Sequence, residues 1–382
     1  MKSYNLTPEE RIKLITRETE EVLGVEELKE LIKQGVPLKH YIGFEVSGKV
    51  HLGTGLMSGA KIADLQKAGV SCTVYLATWH AWINNKLGGD LNTIRNAAEY
   101  FKEGIKAGIE VMGGDPENVT FVEGDELYHN NDEYWLQTIE IAKNMTLNRA
   151  LRAITIMGRK EGENVPLAGL LYAPMQVADV FELQANIAHA GLDQRKAQVV
   201  AREVAQKITI KPLKDKNDKK YKPIALHHHL ILGLNKPPKW PIKNEDELKE
   251  LRSEMKMSKS VEGSAVYIHD TPEEIMKKIK NAFCPADSVK FNPVLDWAKH
   301  LLFRNPEFEL TIDRPEKFGG PVTFKTYDEI EKSFERGDLH PLDLKTGVAQ
   351  ALITLLEPAR RRFSSQKNKA LKEAMDQLTI TR

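Results

Sequence analysis

The chain has 382 residues, 41% hydrophobic and 29% charged, so it is long enough for two domains and has an ordinary globular composition. Its 55 basic and 54 acidic residues give a net charge of +1, so a polyanion would have to bind local basic patches. With two cysteines, we expect the thiols to be reduced. Because the sequence shows no apolar leader and no run of 18 apolar residues, we expect a cytoplasmic protein without a membrane span.

The first 200 or so residues alternate between strand-like and helix-like segments. Runs rich in β-branched and aromatic residues, typical of strands, lie at 40–48, 71–78, 118–124 and 185–191. Helical patterns follow at 55–69, 96–112, 133–158 and 194–208. Repeated βα units predict an α/β fold with a doubly wound, Rossmann-type parallel sheet, in which ligands bind at the carboxyl ends of the strands.

The pattern changes in the last third of the chain. Residues 207–222 carry seven lysines against two aspartates, which predicts a solvated loop or hairpin; the alternative is a patch that faces a polyanion. Helical signals, loops and a basic tail follow from about residue 264. We therefore predict one domain over residues 1–262 and a second, mostly α-helical domain over residues 263–382.

Two remote segments have the chemistry of a phosphate clamp. EMKMSKSV at 254–261 places Lys256 and Lys259 around the hydroxyls of Ser258 and Ser260, although the chain has no GxxxxGK[ST] phosphate loop. HLGTG at 51–55 offers a histidine and two glycines at a strand-to-helix turn, where a helix N-terminus faces an anion. Acting together, the two segments would hold a triphosphate and stabilise charge that develops in a transition state.

These motifs and several longer segments carry a family resemblance. HLGT resembles the HIGH signature and KMSKS matches the second signature of class I aminoacyl-tRNA synthetases, in the right order. The segments YIGFEVSGKVHLGTG, YAPMQVADV, GLDQRK, NPVLDW, RPEKFGG and LHPLDLK resemble the archaeal-type tyrosyl-tRNA synthetases, over roughly residues 10 to 365. The resemblance implies a catalytic domain over 1–262, an anticodon-binding domain over 263–382, and a homodimer.

The resemblance also implies a tyrosine pocket. It places Tyr41 and Asp179 at the phenol end, where the substrate hydroxyl donates to the carboxylate. Such a pocket rejects phenylalanine, because two buried polar groups would be left without a partner. The residues implied to hold the ammonium and carboxylate groups, or to lie beside them, are Glu45, Tyr172, Gln176 and Gln194.

For the chemistry, the resemblance implies that the catalytic residues are His51, Lys256 and Lys259. The ATP-binding residues that it implies are His51, Gly53, Thr54, Asp193, Lys256, Ser258 and Lys259, and Asp193 is suited to the ribose. Thr54 stands where many class I enzymes have a second histidine. Magnesium accompanies ATP, and we predict no metal site in the protein, because the three consecutive histidines 227–229 cannot all face one ion.

Two groups of residues are implied to bind tRNA. Those at the first base pair of the acceptor stem are Arg152, Arg195 and Lys196. Those that read the first anticodon base are Phe318, His340 and Asp343, by ring stacking and base-edge hydrogen bonding. The alternative interpretation of Phe318 is a core aromatic residue.

Three functions remain open from the sequence. The first is an enzyme that activates L-tyrosine with ATP and transfers it to the 3′ end of tRNA(Tyr). The second is a tryptophanyl-tRNA synthetase, which the pair Tyr41 and Asp179 disfavours, since an indole offers only one N–H donor. The third is a catalytically idle, RNA-binding paralogue, against which the presence of His51, Lys256 and Lys259 argues.

Overall fold

The computed structural model describes residues 6–160, 162–238, 240–241, 255–258, 263–286 and 288–378. Lys259, Ser260 and the predicted domain boundary at residue 262 lie outside the described residues. Within the described ranges, no helix is both long enough and apolar enough to cross a membrane.

A six-stranded sheet forms the centre of the first 230 residues, in the order β1-β6-β5-β2-β3-β4. Its strands are β1 (Glu21–Leu23), β2 (Lys39–Phe44), β3 (Ser71–Leu76), β4 (Val119–Glu123), β5 (Ile187–Gly191) and β6 (Ile224–His228). All neighbouring pairs are parallel except β1 with β6. The predicted doubly wound sheet is therefore confirmed, and β1 is an edge strand too short to stand out in the sequence.

Ten α-helices in the described residues accompany this sheet: α1 (Pro8–Thr16), α2 (Val25–Lys33), α3 (Leu52–Lys67), α4 (Thr78–Ile83), α5 (Leu91–Val111), α6 (Gly124–Tyr128), α7 (Asp132–Lys143), α8 (Leu147–Ala153), α9 (Tyr172–Glu182) and α10 (Arg195–Val204). The helical stretch predicted over 133–158 is mostly helical but is divided into separate helices. Thr146 has extended backbone angles and caps α8 by accepting from the Arg149 N–H at 3.2 Å, so the chain stops one helix and starts another.

Helices cover both faces of the sheet. Ile42 and Val74 point to the side packed by α2, α3 and α5, whereas Tyr41 and Tyr75 point to the side packed by α7, α9 and α10. Helices α3 and α5 approach very closely, because a Cβ on Gly108 would lie only 2.3 Å from the backbone oxygen of α3 at Gly55. Only glycine permits this contact.

The C-terminal part is mostly helical, as predicted. Its helices are α11 (Pro272–Lys280), α12 (Pro293–Trp297), α13 (Tyr327–Glu335), α14 (Pro341–Leu355), α15 (Glu357–Phe363) and α16 (Gln366–Asp376). A π-helical turn (Ala298–Leu302) follows α12, and β7 (Leu310–Ile312) pairs with β8 (Val322–Phe324). Its core joins that of the sheet domain, and Arg362 is held by the buried Glu103 of α5 at 2.9 Å.

The strand order places a switch point between β2 and β5. From β2 the chain runs outward through β3 and β4, then crosses to β5 and continues to β6 in the opposite direction. Ligands of such sheets bind where the carboxyl ends of the strands diverge at this point. The fold therefore directs attention to the residues that follow Phe44 and Gly191.

Candidate active site

A fully buried carboxyl group, Asp179 on α9, lies beneath the switch point. The hydroxyls of Tyr128 and Tyr134 donate to its Oδ1 atom at 2.9 and 3.0 Å. The Tyr41 hydroxyl also interacts with this carboxyl group. Sequence reasoning missed Tyr128 and Tyr134, because they lie about 50 residues away and carry no motif.

Burial controls the ionisation of this cluster. Loss of hydration raises the pKa of Asp179 to about 8, although hydrogen bonds from Tyr128 and Tyr134 act in the opposite direction. Burial likewise lowers the pKa of the neighbouring His80 to about 4, so its imidazole is neutral near pH 7. A hydroxyl that donated to Asp179 would favour the charged carboxylate and bring its pKa down again.

Several buried polar atoms in this region have no hydrogen-bond partner within the described part of the protein. They are Asp179 Oδ2, His80 Nε2, Gln176 Oε1 and Gln198 Oε1. Asp179 Oδ2 and His80 Nε2 lie 3.9 Å apart. A small cavity beside Tyr41 and Gly43 is lined by Gln176 and Gln198. Because buried polar groups are nearly always satisfied, this cluster is suited to a polar ligand.

The other predicted pocket residues gather around the same helix. Gln176 Nε2 donates to Gln194 Oε1 at 3.3 Å, and Gln194 Nε2 donates to the Ile156 carbonyl at 2.9 Å. Tyr172 packs edge-on against His80 with ring centres 4.5 Å apart. Glu45 follows β2 and accepts from Asn84 Nδ2 at 2.8 Å. The predicted pocket set is thus brought together at the switch point.

The HLGTG turn forms the N-terminus of α3. His51 is the N-cap, and its Nδ1 accepts from the Thr54 N–H at 3.2 Å, while the Thr54 hydroxyl lies 3.2 Å from Nε2. The Leu52 N–H donates to the Val266 carbonyl. The sequence led us to expect free N–H groups at this helix end, but those of Leu52 and Thr54 already have acceptors. Gly53 lies against the His51 ring and Ile231, where a Cβ would approach within 3.1 and 3.3 Å.

The lysine–serine segment meets this turn through Ile231. The Met257 N–H donates to the Ile231 carbonyl at 2.8 Å, and Lys256 makes an ion pair with Asp193 just beyond β5. Burial opposes ionisation of Asp193, but the Lys256 charge outweighs it and lowers the Asp193 pKa below its ordinary value. The Ser258 carbonyl accepts from the Ser264 hydroxyl at 2.5 Å. The predicted site residue Lys259 lies outside the described residues.

The three consecutive histidines, 227–229, have different contacts. His227 contacts Glu21, and His228 joins a row of buried imidazoles with His189 and His40, at 2.8 and 3.0 Å. His229 lies between two carboxylates, with Nδ1 2.5 Å from Glu20 and Nε2 2.8 Å from Asp296.

The donor atoms of His229, Asp296 and His300 lie within 4.8 Å of one another, a spacing that a metal ion could bridge. However, both His229 nitrogens already meet carboxylates. The His229 and His300 rings stack, with their centres 4.0 Å apart, instead of converging on one point. The arrangement is that of a charged imidazole held by two acids.

The predicted RNA-binding residues lie on the surface in two groups. Lys196 donates to the Arg152 carbonyl at 2.9 Å, and the exposed Arg195 pairs with Glu21 at 2.7 Å. In the C-terminal part Phe318 is 59% exposed, so its interpretation as a core residue is wrong. His340 caps α14, which also carries Asp343.

Arg314 ties the loop that carries Phe318 to the segment before α14. It donates to the carbonyls of Gly320 and Asp338 at 2.8 and 3.0 Å. The exposed aromatic ring and the N-terminus of α14 are therefore held on one connected structure.

Comparisons with known proteins agree with this geometry. Residues 33–357 match the family described as tRNA synthetases class I (W and Y). The tyrosine–tRNA ligases of Thermococcus sibiricus and Pyrococcus furiosus are each 57% identical over 376 residues, which is 98% of this chain and 99% of theirs. The crystal structure of tyrosyl-tRNA synthetase from Pyrococcus horikoshii, complexed with L-tyrosine, is 55% identical with a TM-score of 0.94, covering 97% of this chain and 100% of that one.

The chain therefore belongs to the class I tRNA synthetase family for tryptophan and tyrosine. The predicted resemblance to archaeal tyrosyl-tRNA synthetases and the predicted fold class are both confirmed.

The His229 site predicts a pH-dependent stability. Burial alone would lower the His229 pKa, but hydrogen bonds to Asp296 and Glu20 raise it to about 9, and the stacked His300 is neutral near pH 7 because burial lowers its pKa to about 4. The charged imidazole therefore stabilises the fold fully below the ordinary histidine pKa of about 6.5 and loses this effect as pH rises through about 9.

We expect His229→Gln to be less stable than the unmodified protein at pH 6, by at most about 3 kcal/mol, with the difference shrinking towards pH 9.5. Urea unfolding across this range measures the difference. A gap between the two proteins that stays constant with pH would contradict the assignment.

Proposed function

We propose that this chain activates L-tyrosine with ATP to form tyrosyl-adenylate, and then transfers the tyrosyl group to the 3′ end of tRNA(Tyr). The observation that carries the proposal is the buried Asp179 carboxyl group, surrounded by tyrosine hydroxyls next to the switch point. The relatives that span nearly the whole chain are tyrosine–tRNA ligases, which supports the same reaction.

In the proposed complex, the phenol hydroxyl of the substrate donates to Asp179 Oδ2, the oxygen that Tyr128 and Tyr134 leave open. Tyr41 completes this end of the pocket. Tyr172, Gln176 and Gln194 lie towards the switch point, where they hold the ammonium and carboxylate groups, and Glu45 lies nearby. The substrate carboxylate is thereby directed towards the nucleotide site at the ends of β2 and β5.

ATP enters with Mg²⁺ as part of the substrate. Asp193 holds the ribose, and His51, Gly53 and Thr54 face the phosphate chain. The tyrosine carboxylate attacks the α-phosphate and pyrophosphate leaves, so negative charge moves onto the leaving group. Lys256, Ser258 and Lys259 stabilise that charge. Because Lys256 pairs with Asp193, nucleotide binding must exchange this ion pair for new contacts.

The proposed tRNA contacts follow the two exposed groups. Arg152, Arg195 and Lys196 meet the acceptor stem, and Phe318, His340 and Asp343 read the first anticodon base. The exposed Phe318 ring is suited to stacking on an unpaired base. Since tRNA charging supplies the ribosome, we place the protein in the cytoplasm.

The test is ATP–pyrophosphate exchange with each of the twenty amino acids in parallel. We expect exchange with tyrosine only. Exchange with tryptophan would support the second family activity, and no exchange with any amino acid would make the RNA-binding paralogue the better account.

Asp179→Ala should relax the choice between tyrosine and phenylalanine. The change removes the acceptor for the phenol hydroxyl, so we expect the ratio of kcat/KM for tyrosine to that for phenylalanine to fall by about 10- to 100-fold, the value of a buried hydrogen bond of roughly 1–3 kcal/mol. Asp125→Ala is the matched control, since that carboxylate binds Trp79 and Arg95 outside the pocket. An unchanged ratio in Asp179→Ala would remove Asp179 from the phenol site.

We also propose that the protein is a homodimer. Ten large hydrophobic side chains are exposed in the described ranges, and six of them lie on consecutive helical segments of the sheet domain: Leu136, Ile139, Leu147, Leu151, Leu167 and Leu171. We propose that these six side chains form one apolar patch, which is typical of a protein interface.

Leu147→Glu combined with Leu167→Glu should convert the dimer to a monomer in light scattering after size exclusion. Leu342→Glu, at an exposed leucine in the C-terminal part, should leave the mass unchanged. A double variant with the mass of the unmodified protein would place the interface elsewhere.

A further inference from the structure

The lysine–serine segment is attached to the rest of the protein by a short antiparallel pairing. Leu232 lies opposite Lys256, with the Gly233 N–H donating to the Met255 carbonyl at 2.7 Å and the Met257 N–H donating to the Ile231 carbonyl at 2.8 Å. Residues 231–233 therefore set the register of residues 255–257.

The alternation of an antiparallel pair leaves the backbone groups of Leu232 pointing away from Lys256. Two successive residues of α12 take them up. The Leu232 N–H donates to Asp296 Oδ2 at 2.9 Å, and the indole N–H of Trp297 donates to the Leu232 carbonyl at 2.7 Å. Helix α12 thus binds both the N–H and the carbonyl group of Leu232, the residue opposite Lys256.

Both α12 residues are themselves firmly placed. Trp297 has no exposed surface and belongs to the main hydrophobic core, and α12 packs against α14. Asp296 uses its other oxygen to accept from His229 at 2.8 Å, immediately after β6. One end of this arrangement is therefore fixed in the sheet domain and the other in the C-terminal part.

The position of Lys256 matters because its side chain reaches the end of β5, where it pairs with Asp193. Because residues 231–233 pair with residues 255–257, a small shift of the first segment would also move Lys256. Charged groups that stabilise a transition state lose much of their effect when displaced by about 1 Å.

We propose that Asp296 and Trp297 are positioning residues for adenylate formation: by holding the Leu232 peptide, they fix the register that aims Lys256 at the nucleotide. The inference rests on the proposed tyrosine activation and adds the C-terminal helix α12 to its machinery. Neither residue is expected to touch tyrosine or ATP.

Three variants test the inference by ATP–pyrophosphate exchange. Asp296→Ala removes both acceptors, Trp297→Phe removes one donor while keeping an aromatic ring, and Asp296→Asn keeps an acceptor for the Leu232 N–H. The matched control is Glu103→Ala, which also breaks a carboxylate link to the C-terminal part, through Arg362, without touching residues 231–233. Thermal unfolding of each variant sets an assay temperature at which all are folded.

We expect Asp296→Ala to lower kcat by about tenfold or more while KM for tyrosine changes by less than about twofold, because the tyrosine pocket is formed by other elements. Trp297→Phe should change kcat in the same direction, Asp296→Asn should recover most of the rate, and Glu103→Ala should lose stability without this kinetic change. If Asp296→Ala does not fold, Trp297→Phe with Asp296→Asn decides the question.

An unchanged kcat in folded Asp296→Ala and Trp297→Phe would overturn the inference, as would an equal loss in Glu103→Ala. A loss that falls equally on KM for tyrosine would also overturn it. Failure of the unmodified protein to exchange would count against the proposed function instead, so the two failures are distinguishable.

Discussion

The burial of Asp179 is the constraint on which the proposed tyrosine pocket depends. Burial raises the pKa of this carboxyl group, and a buried carboxyl group needs hydrogen-bond donors. The fold supplies the hydroxyls of Tyr128 and Tyr134 as donors. Both donors use the same oxygen, so the other oxygen is left without a partner in the described part of the protein, 3.9 Å from Nε2 of the neutral His80. The proposed recognition of the substrate hydroxyl therefore follows from how the protein stabilises one buried acid.

At the proposed nucleotide side of the switch point, polar groups are likewise kept paired. His51 caps α3 and also contacts the Thr54 hydroxyl. Thr54, which stands at the position of the second histidine in many class I enzymes, is therefore oriented by His51. Lys256 and Asp193 neutralise each other across the gap between the lysine–serine segment and β5. These two charged groups, which would be destabilising if they were unpaired, are thus kept paired. In the proposed complex, a bound polyanion replaces Asp193 as the partner of Lys256.

Much of this could be predicted from the sequence, because strands with β-branched runs, glycine turns and the two signatures are local patterns. Tyr172, Gln176 and Asp179 share one helix, so their grouping follows from spacing alone. Tyr128, Tyr134 and His80 could not be found in this way, since only the folding of β3, β4 and α9 brings them to Asp179. The break at Thr146 was missed because a helical apolar pattern continues through it.

The least predictable part of the site is its support. Asp296 and Trp297 lie within NPVLDW, a segment that marks the family but suggests no chemistry by itself. Their role emerges from backbone geometry: a residue paired in one register turns its own N–H and carbonyl to the other side, where they must find partners. Those partners belong to a helix packed against α14. The segment that carries Lys256 is therefore linked, through residues 231–233, to the helix that His340 caps and that carries Asp343.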